Sequence, residues 1–127
     1  MPRVLLLLPS STYRTHDFLE AAAAIGAEVV VGSDHRPSLL EERALRVDLE
    51  RPEAAAAAIA AYASERPLDA VVAVDDQATQ AAAAAAAVLG LRHNAPQAVA
   101  ASRDKARTRE LLAAAGLLSP RFTTFDA

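Results

Sequence analysis

Alternating strand-length and helix-length segments predict an α/β protein, built on a doubly wound, mostly parallel open sheet of four to five strands. Three observations carry this expectation. Arg3–Leu8 and Ala70–Val74 are short continuous apolar runs, the mark of strands buried on both faces. Three helix-length stretches end at a glycine, Gly26, Gly90 and Gly116, just past the last periodic residue. The connections between segments are a few residues long, and right-handed crossovers convert such an order into one parallel sheet.

Taken in order, Arg3–Leu8 is the first strand, set between Pro2 and Pro9. Pro9-Ser10-Ser11-Thr12 is a turn, and the segment from about Tyr13 to Ile25 is helical. Val29–Val31 is a second buried strand ending at Gly32. A Ser-Asp-His-Arg-Pro turn leads to a short helix around Leu39–Ala44. Leu45–Leu49 alternates apolar and polar residues, which suits a third strand nearer an edge. Pro52 at the first helical position, with Glu53 beside it, opens a helix to about Ser64. Ala70–Val74 is the fourth strand and runs into Asp75-Asp76. The next helix spans about Gln77 to Leu89, Leu91-Arg92-His93 is a candidate short fifth strand, and Asn94-Ala95-Pro96 turns into a short helix before Ser102. The alanine runs 54–58 and 81–87 fall at helical positions and do not repeat with a solenoid period.

The last helix has both ends marked. Ser102 suits an N-cap, Asp104 suits the positive first turn, and Leu111, Leu112 and Ala115 form an apolar stripe. Gly116 stops the helix and Pro120 prevents its resumption. Arg103 and Lys105 place positive charge in that first turn, which is unfavourable unless an anion comes to it. Lys105 is the only lysine, against twelve arginines. A single ammonium at a helix start suits a compact point charge for phosphate, although from charge alone a lysine on an ordinary solvated face is the commoner arrangement.

Composition narrows the classes of function. The chain has 127 residues, one ordinary domain, with 53% hydrophobic and 23% charged residues, as expected of a soluble globular protein. Much of the apolar share is alanine, so helices can lie close to a sheet while large core side chains are few. The net charge of −3 gives no general attraction to nucleic acid or to an anionic membrane. With no cysteine there is no disulfide, thiolate nucleophile or cysteine-ligated metal. No apolar run approaches a membrane span or a secretory leader, so a cytoplasmic location is expected. His16, His35 and His93 are scattered and show no metal-ligand spacing.

In a doubly wound sheet, ligands bind beyond the carboxyl ends of the strands. Two loops qualify. The first, Ser10, Ser11, Thr12, Tyr13 and Arg14, groups three hydroxyls, a phenol and a guanidinium at a helix start, a setting for a carboxylate or phosphate. Ordinary capping accounts for the same residues. The loop has no glycine, so a dinucleotide fingerprint is absent, and Asp34 after the second strand reads as a turn former rather than a ribose-binding acid. The second loop is Asp75-Asp76-Gln77. Paired carboxylates repel phosphate but suit an amine, a hydroxyl or a bridging water on an acceptor; the alternative is that Asp76 caps the helix while Asp75 is solvated.

The stretch Asp104-Lys105, a helix ending in Ala-Ala-Gly116, then Leu-Leu-Ser-Pro120-Arg121-Phe122, resembles the junction segment of ATP-grasp enzymes. Biotin carboxylase, carbamoyl-phosphate synthetase and the glycinamide-ribonucleotide enzymes belong to that superfamily. Because the preceding residues read as its N-terminal domain, the resemblance covers nearly the whole chain. It implies a Rossmann-like pre-ATP-grasp domain over 1–96, exit helices over 97–119, and the start of a second domain over 120–127; Arg121–Phe125, Arg-Phe-Thr-Thr-Phe, itself reads as the opening of a strand. It also implies an ATP-dependent carboxylate–amine ligase working through an acyl phosphate, with ATP and Mg2+ as cofactors of the whole enzyme. Lys105 matches the lysine that reaches the ATP phosphates, and an Asp75-Asp76 pair in this position implies substrate contact or domain closure. The expected partners are a small carboxylate and an amine, with a homodimer as a candidate assembly; the chain is expected to be a fragment, inactive alone. A self-standing nucleotide- or sugar-binding module and a dimerisation or regulatory domain remain as alternatives. A receiver-type phosphoacceptor domain fits less well, since its acidic pair would follow the first strand.

Overall fold

A computed structural model describes residues 1–35 and 43–126. The expected helix around Leu39–Ala44 lies largely outside them, and Ala44 itself begins a strand. Four parallel strands, β1 (Arg3–Leu7), β2 (Glu28–Ser33), β3 (Ala44–Arg46) and β4 (Ala70–Ala73), lie in the order β3-β2-β1-β4. Leu5 stands opposite both Val30 of β2 and Val71 of β4, and Leu6 opposite Val31 and Val72. The most apolar strand is therefore interior. The shortest one, β3, lies at an edge as expected, but it spans Ala44–Arg46 rather than 45–49, its pairing with β2 ending where β2 ends at Ser33.

Side chains alternate across β1 and so divide between two cores. Leu6 and Leu8, with Val31 and Val74, meet Phe18 and Leu19 of α1 (Thr15–Ala24). Leu5, Leu7 and Val30 meet α2 (Pro52–Glu65) and α3 (Thr79–Val88) on the other face. There Ala55, Ala56, Ala81 and Ala85 are buried around Ile59, and their small side chains let two helices approach the same strands. Gly32 serves the same packing within the sheet. A Cβ at that position would come within 2.5 Å of Leu7 Cδ2 and 3.3 Å of Leu5 Cδ1.

Gly26, Gly90 and Gly116 all have positive φ, at 68°, 67° and 72°, so the three predicted helix stops are left-handed turns. Beyond Gly90 the sequence expectation needs correction: Leu91–His93 is not a fifth strand. The Leu91 N–H donates to Ala86 O, closing the end of α3, and the Leu91 carbonyl lies 2.7 Å from His93 Nδ1. Backbone groups committed in this way cannot join a ladder.

Two helices follow, α4 (Pro96–Ser102) against α3 and α5 (Lys105–Ala114) against α4. The N-cap of α5 is Asp104, not Ser102: the Asp104 carboxylate accepts from Arg107 N–H at 3.1 Å, while Ser102 Oγ donates back to Val99 O within α4. Ser102 thus belongs to the preceding helix, and Arg103 lies between the two. The Thr108 hydroxyl ties α5 to Ala101 O at 2.6 Å. No residue of α5 is buried, and Leu111 of the expected apolar stripe is 42% exposed. Arg121–Phe125 forms no strand, since no described strand lies alongside to take its hydrogen bonds. No helix among the described residues is long and apolar enough to cross a membrane.

Candidate functional site

The chain runs outward from β1 to β2 and β3, then returns to place β4 on the other side of β1. The switch point of strand order therefore lies between β1 and β4, and the two loops leaving their carboxyl ends flank it. These are Pro9–Arg14 and Asp75–Gln77, so the fold brings both sequence-predicted loops to one place.

Within the first loop, Thr12 N–H closes a turn on Pro9 O at 3.1 Å, and Thr12 Oγ1 accepts from Arg14 N–H at 3.3 Å. Ser11, Tyr13 and Arg14 are exposed. The Arg14 guanidinium lies 5.7 Å from the Tyr13 ring centre. Its pKa is raised, first by Tyr13 beside it and then by the charge of Asp75 across the switch point. Arg14 is the N-cap of α1 and its side chain makes no cap; the one loop hydroxyl bonded at the helix start is that of Thr12, on the Arg14 N–H.

Ser10 is engaged differently. Its N–H donates to Asp34 Oδ1 at 2.9 Å and its hydroxyl donates to Asp34 Oδ2 at 3.3 Å. Asp34 also accepts from Ser33 Oγ at 3.0 Å and faces His35 Nδ1 at 3.2 Å. Burial alone would raise the Asp34 carboxyl, but the Ser10 N–H, the Ser33 hydroxyl and His35 outweigh it and hold the pKa at about 2. A carboxylate of the protein thus already occupies the Ser10 end of the loop. Sequence reasoning assigned Asp34 only to a turn; the available signal was its place one residue past a buried strand, where an acid faces the neighbouring strand's loop.

Neither acid of the second loop caps α3. Asp75 is extended and makes no side-chain cap, and Asp76 opens a short 3-10 turn, 76–78. The Asp76 carbonyl accepts from the Thr79 hydroxyl at 2.8 Å, while its carboxylate pairs with Arg103 Nε at 3.3 Å. Arg103, which the sequence placed in a helical turn, instead fastens the junction of α4 and α5 to the switch point. A cleft of about 380 Å³ lined by Leu49, Glu50, Gln77, Gln80 and Arg103 opens beside this pair. Lys105 follows two residues later as the first residue of α5, exposed and without an ionic partner among the described residues.

An open parallel sheet with polar loops gathered at its switch point is the α/β arrangement in which ligands bind beyond the strand ends. The model of the ATP-grasp N-terminal domain matches residues 19–93, and the chain belongs to that family. Among solved structures, the chain is similar to the L-amino acid ligase from Bacillus licheniformis, with a TM-score of 0.82 and 25% sequence identity. That match covers 98% of this chain and 33% of the ligase, so the chain spans about a third of the ligase's length. No curated protein matches the sequence.

Proposed function

We propose that this chain is the N-terminal, substrate-side domain of an ATP-dependent ligase that joins a carboxylate to an amine or a related nucleophile through an acyl phosphate. The observation that carries this reading is the match of 98% of the chain, exit helices included, to one third of an amino acid ligase. Lys105 contacts a phosphate of ATP, and its unpaired ammonium at the first position of α5 is what such a contact requires. Tyr13, Arg14 and the Asp75–Asp76 pair contribute to the acceptor site: opposite charges facing one another across the switch point suit a ligand with both a carboxylate and an ammonium. Ser10 shapes the loop through Asp34, leaving Ser11 and the hydroxyl proton of Thr12 for direct contact.

The residues present make only part of a nucleotide site. The Asp104 carboxylate already takes the Arg107 N–H at the start of α5, leaving the Lys105 side chain as the phosphate contact there. Among the described residues no cluster of three or more acids, histidines or cysteines could hold Mg2+. On this reading the chain supplies part of the acceptor site and one phosphate contact, and is inactive alone.

In the complete protein, Lys105→Ala should raise the KM for ATP about tenfold or more, the loss of one charge-assisted phosphate contact, while leaving the KM for the acceptor nearly unchanged. Steady-state kinetics with each substrate varied in turn would check this, and unchanged ATP kinetics would refute the role of Lys105. Calorimetry of the chain with NAD, FMN and ATP tests the rival of a self-standing nucleotide module, and sedimentation tests a dimerisation domain.

A further inference from the structure

We propose that the open edge of β4, with the cleft beside it, is a docking site for a short extended peptide ending in a free carboxylate. The inference does not depend on the ligase reading. In a parallel ladder the N–H and C=O of one residue point the same way, and successive residues alternate in direction. Val74 N–H bonds to Leu7 O at 2.9 Å, so Val72 also faces β1, while Val71 and Ala73 turn their backbone groups outward. β4 ends the described sheet, and nothing in the described chain pairs with that side. The segment best placed to do so, Leu91–His93, has its first N–H and C=O committed elsewhere.

Edges of this kind are ordinarily blocked by a charge, a proline or a bulge. The sequence of β4, Ala-Val-Val-Ala, has none of these, and Val72 is 36% exposed. Alongside the edge runs a cleft of about 390 Å³ whose helical wall is made of Ala82, Ala83 and Ala86. Alanines leave room there for the side chains of an added strand.

Charge chooses the occupant. The residues lining the cleft include Arg92 and His93 and no acid, in a chain of net charge −3. Arg92 is exposed and makes no hydrogen bond or ion pair among the described residues, so its guanidinium is available for a bidentate carboxylate. The edge is four residues long, room for a short peptide, and Arg92 in the cleft lining would take the carboxylate at that peptide's end. Main-chain pairing would supply affinity and Arg92 the preference for a free carboxylate.

The test is a titration of the isotopically labelled chain with the peptide N-acetyl-Thr-Val-Thr-Val, as free acid and as amide, followed by NMR. Binding of the free acid should shift the Val71 and Ala73 amides and slow their exchange. Amidation of the peptide, or Arg92→Ala in the protein, should weaken binding about tenfold, the cost of a charge-assisted pair. Ala73→Pro removes an outward donor and should weaken binding as well; Arg92→Ala decides the matter should that variant fail to fold. No shift at those amides with millimolar peptide, or equal binding of acid and amide, would overturn the proposal. So would sedimentation showing that a second copy of the chain covers this edge.

Discussion

Asp34 shows how one side chain can set a loop. Its carboxylate joins the ends of β1 and β2 by accepting from Ser10 and Ser33, and Ser33 is itself buried and needs that partner. Because the folded pKa is lowered to about 2 from an ordinary 3.8, ionised Asp34 favours the folded state. That contribution is complete above about pH 5 and is lost as pH falls toward 2. With 36% of the side chain exposed, it amounts to about 1 kcal/mol after allowing for solvent screening. Asp34→Asn should therefore lower stability at pH 7 by about 1 kcal/mol and flatten the acid limb of the stability profile. Urea melts at a series of pH values would show it; an unchanged limb would mean that the hydrogen bonds do not discriminate between the charged and neutral forms.

At the scale of elements, the sheet is constrained most tightly where β2 passes β1. Gly32→Ala places a methyl against Leu7, which is fully buried and cannot swing away. Overpacking of this kind costs about 1–3 kcal/mol. Urea midpoints of the variant and the parent should differ accordingly, with similar slopes. The element boundaries divide by cause. Helix stops were legible because a glycine at positive φ is a local matter, visible at Gly26, Gly90 and Gly116. The start of α5 was misplaced by two residues because Ser102 and Asp104 are both competent caps; the chain resolved it by extending α4 through Ser102. The fifth strand was misread because the apolar Leu91 serves the main core and the end of α3 instead of a ladder.

Over the whole molecule, burial is graded from the sheet outward. Leu5 and Leu7 of β1 are completely buried between two layers, whereas α5 has no fully buried residue and packs on α4. Native-state hydrogen exchange should consequently show α5 amides exchanging through local opening, while β1 and β2 amides exchange only with global unfolding. Uniform protection would contradict that gradient. At the switch point, the exposed Arg103–Asp76 pair is a polar contact between the α4–α5 junction and the loop after β4.

The sequence by itself determined the α/β class, the parallel sheet, the glycine stops and the two loops at the switch point, because each follows from local periodicity or from a residue with restricted conformations. Only the tertiary structure decided what those loops touch. The bonds of Asp34 with Ser10 span 24 residues, and the Arg103–Asp76 pair joins helices to a strand end. Such partners are chosen by which strands lie side by side, and strand order is set by burial of the whole sheet, which no short window of sequence contains.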